Sequence, residues 1–149
     1  TDWKAGKRFK QSEDGKKLVL ANGTKVGSGY KTGEAFKDYL KAVFNYAGSA
    51  SLERDLKEVK ADELLPGDLY IQPPRTPGGL GHVSMIFDVS ENGRGERLYL
   101  VGYGFTPAIS MFIAKPDVQS GDGKGDWFSE PGFRNHIKIF GPGTWKRWP

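Results

Sequence analysis

The spacing of apolar residues changes character about a third of the way along the chain. From Thr32 to Gly48 the apolar positions recur every three or four residues, which is the spacing of one buried helix face. Thr32 can cap such a helix and Gly48 can end it. The sequence therefore predicts one long amphipathic helix over residues 32–48, followed by a shorter helical segment over residues 52–56 that Ser51 can cap.

Beyond residue 65 the apolar residues alternate with polar ones, as they do in β-strands. The clearest case is the run from His82 to Val89, in which every second side chain is apolar and shares one face. The alternation favours strands at residues 68–72, 82–89, 97–105, 109–114 and 136–140. One good helix followed by consecutive strands predicts an α+β fold with a mainly antiparallel sheet of about five or six strands, spanning residues 66–140.

The amino-terminal segment is basic and contains a hairpin signal. Asn22-Gly23 can form the two-residue turn of a hairpin between residues 17–21 and 24–26. Residues 1–31 contain eight basic and three acidic side chains, a local net charge of +5, whereas the whole chain carries +4. We interpret residues 1–31 as a solvated basic hairpin segment. Binding to a polyanion is the alternative, but few aromatic residues stand between these charges, so no nucleic-acid partner is predicted.

Length and composition narrow the possible classes further. The 149 residues suit a single domain, and 37% of them are hydrophobic, enough for a packed core. No apolar run approaches the ~20 residues of a membrane-spanning helix, so no membrane span is predicted. The chain contains no cysteine, which excludes disulfides and a cysteine nucleophile within these residues.

The usual cofactor and metal motifs are absent from the sequence. It contains neither the glycine-rich loop and lysine of a P-loop nor a complete dinucleotide loop. Its two histidines stand 54 positions apart without marked carboxylate partners, and the acidic loop of residues 117–126 lacks the spacing of a calcium-binding EF-hand. We therefore predict no cofactor and no metal, and interpret the acidic loop as an ordinary solvated one.

His82 is the residue best placed for chemistry. It begins a predicted strand directly after a loop rich in proline and glycine, so one edge of its ring can face a groove while the sheet holds its backbone. A general base requires this kind of placement. The alternative is a half-buried histidine bonded to a neighbouring carbonyl. Ser84 shares its strand face but lies ~7 Å along the strand, too far for direct proton transfer.

Two segments carry a resemblance to a known group of enzymes. Residues 65–72, with a Pro-Gly-Asp turn, and residues 81–88, which begin Gly-His-Val, resemble the NlpC superfamily of papain-like cell-wall peptidases. In that superfamily a Gly-Asp turn opens one core strand and the catalytic histidine opens the next. The resemblance implies a papain-like core with His82 as the catalytic histidine.

The same resemblance assigns further site residues. Tyr103 stands on the following strand at the position of the residue that orients the histidine, where His, Asn or Gln is usual. A tyrosine hydroxyl can also accept a hydrogen bond from an imidazole. We expect Tyr103 to belong to the catalytic site, and Asp68, Tyr70 and Gly81 to bind substrate.

A second resemblance covers nearly the whole chain. The sequence is similar to an uncharacterised bacterial domain family, in segments at residues 2–6, 36–52, 67–72, 81–83 and 98–108. In that family the helix that would carry a nucleophilic cysteine precedes the segment that matches Thr1. This implies either that the chain is the carboxy-terminal part of a larger protein or that the nucleophile is missing altogether. An upstream segment or a second chain would then complete the fold.

Together these resemblances imply a function in the cell envelope. We expect an amide hydrolase-like domain of the NlpC, papain-like kind that acts on peptidoglycan or other cell-wall material and is secreted or periplasmic. The alternative is a non-catalytic module that binds cell-wall glycan or peptide, using aromatic side chains that stack well on sugars. The exposed tryptophans of such a module would include Trp145 and Trp148, close to a basic end of the chain.

Overall fold

A computed structural model describes residues 9–11, 18–20, 48–105, 109–117 and 125–148. The chain forms two compact units, Thr1–Gly48 and Ser49–Pro149. In the first unit, strand β1 (Phe9–Gln11) pairs antiparallel with strand β2 (Leu18–Leu20). The strand predicted at residues 17–21 is therefore present. The predicted Asn22-Gly23 turn, residues 24–26 and residues 32–47 of the predicted long helix lie outside the described residues.

The second unit is built on a six-stranded antiparallel sheet. Its strands, in chain order, are β3 (Lys57–Glu58), β4 (Leu69–Gln72), β5 (His82–Glu91), β6 (Arg97–Tyr103), β7 (Phe112–Ile113) and β8 (Thr144–Arg147). In space their order is β3-β8-β4-β5-β6-β7. The last strand along the chain thus lies inside the sheet, between two strands from its beginning. The antiparallel sheet agrees with the prediction, although it begins earlier and ends later than residues 66–140.

Two short helices pack on opposite faces of this sheet. Helix α1 (Ser49–Asp55) places Leu52 against a small cluster formed by Leu56 and the β4 residues Leu69 and Ile71. Helix α2 (Glu130–Ile137), followed by a 3-10 turn over Lys138–Phe140, covers the other face and its larger core. The buried hydrophobic residues of that core are Val59, Leu64, Tyr70, Ile86, Tyr99, Val101, Tyr103, Ala114, Phe128, Phe133, Ile137 and Trp145. The expectation that Trp145 is exposed is therefore wrong, because its ring packs in this core, whereas Trp148 is exposed.

The alternation read from the sequence determines which β5 side chains face helix α2. His82, Ser84 and Ile86 are buried, whereas the intervening Val83 and Met85 are half-buried on the α1 side. Successive strand residues point to opposite faces, so this pattern places His82 on the more deeply covered side. Each of the predicted strands at residues 68–72, 82–89 and 97–105 is confirmed to within two residues at either end. Only residues 112–113 of the strand predicted at 109–114 pair in the sheet.

The prediction of a strand at residues 136–140 is wrong. These residues are the end of helix α2 and the 3-10 turn that follows it. The helix begins because the side chain of Ser129 accepts a hydrogen bond from the backbone N–H of Gly132 (3.1 Å), and Pro131 is tolerated in the first turn. The last strand is β8 instead, whose sequence Thr-Trp-Lys-Arg lacks the apolar alternation of a strand.

Candidate functional site

His82 is held between neighbouring strands at the start of β5. In the sheet register it lies directly opposite Gln72 of β4, and Ser84, two residues further on, lies opposite Tyr103 of β6. The residue before it must be a glycine. A Cβ added at Gly81 would lie 2.6 Å from the carbonyl oxygen of Gln72 and 2.8 Å from the Cβ of Ser49. Gly81 therefore permits the close contact between α1 and β4 that fixes the backbone beneath the histidine.

Aromatic rings enclose the imidazole of His82. The ring of Phe140 stacks on it in parallel, with centroids 4.0 Å apart, and the ring of Tyr103 meets it edge-on at 5.0 Å. Only 8% of the residue is exposed. This burial lowers the pKa of His82, so the imidazole is neutral near pH 7. Its Nε2 atom has no hydrogen-bond partner among the described residues.

Gln72 provides a second buried polar group beside the imidazole. Its amide nitrogen donates to the carbonyl oxygens of Ile137 (3.1 Å) and Gly141, which lie at the end of helix α2 and just after the 3-10 turn. Its Oε1 atom has no hydrogen-bond partner among the described residues, and the hydroxyl of Ser84 has none there either. Three buried polar atoms with unused hydrogen-bonding capacity thus lie on adjacent strands.

Tyr103 is bonded to the second histidine rather than to His82. Its hydroxyl lies 3.0 Å from Nε2 of His136, and Nδ1 of the same ring lies 3.0 Å from a carboxylate oxygen of Asp117. With the proton on Nδ1, His136 donates to Asp117 and accepts from the tyrosine hydroxyl. Burial, and secondarily the charge of Asp117, raise the pKa of Tyr103 and keep its hydroxyl protonated. The expected hydrogen bond from His82 to Tyr103 is replaced by a ring contact.

The Asp117–His136–Tyr103 chain was not anticipated from the sequence. His136 was assigned to a strand, whereas it lies on helix α2. Ser129, which caps helix α2, is the sequence signal from which this helix could be predicted. No feature of the nearby sequence predicts that Asp117 bonds to a histidine 19 residues later. Only the packing of helix α2 on strand β6 brings the three side chains together.

Asp68 and Tyr70 have structural partners. The carboxylate of Asp68, 1% exposed, accepts two hydrogen bonds of 2.7 Å from the guanidinium of Arg147 and one of 2.8 Å from the backbone of Leu65. The hydroxyl of Tyr70 accepts from the backbone N–H of Gly143 (3.2 Å) and from the guanidinium of Arg134 (3.3 Å). In this conformation both polar groups stabilise the fold, and a substrate contact would have to displace these partners.

The surface next to His82 is apolar. We call the exposed side chains of Leu80, Phe105, Phe112 and Ile139 the apolar rim. Phe105 contacts Phe140 (ring centroids 5.5 Å apart) and Phe112 contacts Tyr103 (4.8 Å), so the rim continues into the rings around the imidazole. Leu80 lies two residues before His82, and Ile139 lies one residue before Phe140. An exposed apolar surface beside buried polar atoms is typical of a ligand site.

The described residues contain no metal-binding cluster of three or more histidine or acidic side chains. Of the acidic loop at residues 117–126, Asp126 pairs with Lys115 at 2.9 Å and Asp117 with His136, while residues 118–124 are not described. None of the helices in the described ranges is long and apolar enough to cross a bilayer. Chemically, the site offers a neutral imidazole, a fixed amide oxygen and a protonated phenol.

Comparison with known proteins gives a family but no characterised relative. A family model described as a domain of unknown function (4846) matches residues 1–141. No curated protein matches the chain significantly. No solved structure matches it significantly either.

Proposed function

The chain belongs to this family of unknown function, and we propose that it is a hydrolase-like domain with a papain-like core of the NlpC kind that binds peptide material of the cell wall. The observation that carries the proposal is the environment of His82. Its imidazole is neutral, has an unused Nε2 atom and is enclosed by rings that contact the apolar rim. In this proposal the protein works in the cell envelope, secreted or periplasmic, with peptidoglycan as its partner.

Two features favour binding over cleavage for these 149 residues. The chain contains no cysteine, so a thiolate attacking group is absent from it. The hydroxyl of Tyr103 is bonded to His136 and therefore does not orient the imidazole of His82 for proton transfer. What remains is a neutral hydrogen-bonding ring next to an apolar surface, which suits a peptide with apolar side chains.

The binding proposal is tested by co-sedimentation of the chain with purified peptidoglycan. We expect Phe105→Ala to weaken binding about tenfold, because it removes an exposed ring of the apolar rim. Phe87→Ala is the matched control: Phe87 is 39% exposed against 47% for Phe105, and it packs near Gly102 on the other face of the sheet. We also expect soluble stem peptides, but not glycan fragments, to compete. Equal losses in the two variants, or competition by glycan alone, would overturn the proposal.

Amide hydrolysis is the second candidate, and the neutral imidazole of His82 is the observation that favours it. A neutral imidazole with an unused nitrogen is in the protonation state of a general base. Release of new amino groups from stem peptides by the protein, abolished in His82→Gln, would establish cleavage. Sedimentation with peptidoglycan without amine release would leave binding as the function.

A further inference from the structure

Gln72 and His82 together present two hydrogen-bonding atoms at one end of the sheet. We propose that they recognise the N–H and C=O of one residue in an extended peptide, with the apolar side chain of that residue on the apolar rim. The inference rests on the proposed function and names the chemical group that the site binds, the peptide unit of one residue. In it, Oε1 of Gln72 accepts from the peptide N–H, and His82, with its proton on Nε2, donates to the peptide carbonyl.

The orientation of the Gln72 amide is fixed by its own hydrogen bonds. Its nitrogen donates to two backbone carbonyls, those of Ile137 and Gly141. Rotating the amide by half a turn would lose both bonds and set Oε1 against two carbonyl oxygens, which is repulsive. Oε1 is therefore a dedicated acceptor that cannot exchange places with the nitrogen.

The register places the side chain of Gln72 beside that of His82. Directly opposed residues of an antiparallel pair have Cβ atoms about 5 Å apart and side chains on the same face. Gln72 is 0% exposed and His82 8% exposed, and neither Oε1 nor Nε2 has a partner among the described residues. Buried polar atoms without partners are costly, so a ligand that satisfies both gains affinity.

A residue in an extended peptide matches this pair of atoms. The N–H and C=O of a single residue in a β-strand point to the same side of the strand, so they reach two neighbouring groups together. The side chain of that same residue then lies against the apolar rim. A sugar hydroxyl group can also donate to one atom and accept from the other, but it brings no apolar side chain to the apolar rim, which is why we assign a peptide rather than a glycan to this position.

Phe140 covers the imidazole and has to move before a peptide can bind. Its ring stacks on His82 at 4.0 Å and contacts the exposed Phe105 at 5.5 Å, so it can shift along an apolar surface. We expect Phe140→Ala to strengthen peptide binding, because the ligand no longer displaces a stacked ring. Weaker binding in this variant would contradict the proposal, because it would show that the peptide does not displace this ring from His82.

The test uses two small probes and NMR titration of the 149-residue chain. The first probe is N-acetyl-leucine methylamide, and the second is the same molecule with the leucine N–H replaced by an ester oxygen. We expect the ester to bind about tenfold more weakly, because Oε1 of Gln72 loses its donor. In Gln72→Met both probes should bind equally, and Ser90→Ala, an exposed change elsewhere on β5, should keep the tenfold difference.

The Gln72 side chain also bonds to the turn after helix α2, so loss of these bonds in Gln72→Met can prevent folding. The side-chain carbonyl carbon signal of Gln72 in the unaltered chain then provides the test: the amide probe should shift it and the ester should not. Equal affinity of the two probes for the unaltered chain, or a difference that persists in Gln72→Met, would overturn the pairing. Peptidoglycan binding that depends on Phe105 would stand in either case, so failure of the pairing is distinguishable from failure of the proposed function.

Discussion

At the scale of single residues, the two histidines show how neighbours determine what the same side chain can do. His136 is bonded through both nitrogens, to Tyr103 and to Asp117, and its ring is held in one orientation. His82 is held by rings instead, and its Nε2 atom keeps its hydrogen-bonding capacity. Hydrogen bonds restrict a histidine to a fixed role, whereas aromatic packing leaves a nitrogen available to a ligand.

The lowered pKa of His82 predicts how stability depends on pH. As the pH falls, the unfolded chain binds a proton at this residue near pH 6.5, whereas the folded protein binds it only at a lower pH. Between these two pH values the unfolded state therefore holds more protons. The stability that the neutral ring contributes is therefore complete above pH 6.5 and is lost as the pH falls toward the folded pKa.

Urea denaturation across this range checks the prediction by comparison with His82→Gln. Titration of the other groups is common to both proteins, so it cancels in the difference between their unfolding free energies. We expect this difference to be constant above pH 6.5 and to change below it, with the original chain losing relative stability. A difference that does not vary with pH would contradict a lowered pKa.

At the scale of elements, the position of strand β5 depends on a glycine contact. Helix α1 and strand β4 approach Gly81 so closely that a side chain there would overlap the carbonyl oxygen of Gln72 and the Cβ of Ser49. Gly81 carries no positive φ, so what it provides here is space. Glycine is therefore required just before His82, because even the methyl group of alanine would overlap these atoms.

We expect Gly81→Ala to lower the unfolding free energy by about 1–3 kcal/mol, because the added methyl group forces strand β4 and helix α1 apart. Thermal or urea denaturation measures the loss. The control is Gly93→Ala, in the turn after β5, where an added Cβ meets nothing within 4 Å and φ is not positive. Equal stability of the Gly81 variant and the original chain would show that helix α1 can move away without cost.

The elements also show where the sequence pattern was sufficient. Strands β5 and β6 were predicted because their alternation reflects one covered face and one less covered face, whereas β4 is buried throughout and was predicted from the Pro66-Gly67 turn before it. Residues 136–140 were predicted as a strand from their apolar content, but the Ser129 cap and the contact of Phe133 with the core make residues 130–137 a helix. Strand β8 has a mostly polar sequence, and it forms because its backbone pairs with β3 on one side and with β4 on the other.

At the scale of the whole second unit, hydrogen bonds from arginine side chains connect segments that are distant in the chain. Arg147 on strand β8 bonds to Asp68 just before β4 and to the carbonyl oxygen of Glu63 in a 3-10 turn. Arg97 on β6 donates to the carbonyl oxygens of Asp62 and Leu64 in the same region. The chain end is thereby held to the sheet between two earlier strands.

We expect Asp68→Asn to lower the unfolding free energy by about 2 kcal/mol, because a buried carboxylate that accepts three hydrogen bonds loses its charge beside Arg147. Urea denaturation measures the change, and Asp68→Asn combined with Arg147→Met should cost less than the sum of the two single changes. The exposed Arg54–Asp55 pair is the control, because its loss should have no measurable effect. Additive losses would mean that Asp68 and Arg147 stabilise the fold independently.

The sequence by itself determined strands β4, β5 and β6 and placed His82 at the start of one of them, because alternation and turn residues act locally. It could not determine the partners of that histidine. Gln72 is ten residues away, Tyr103 is on another strand, and Phe140 lies in a turn after a helix that the pattern missed. Only tertiary packing decided that His82 is covered by rings and that Tyr103 bonds to His136, because those contacts join segments with no local relationship in the chain.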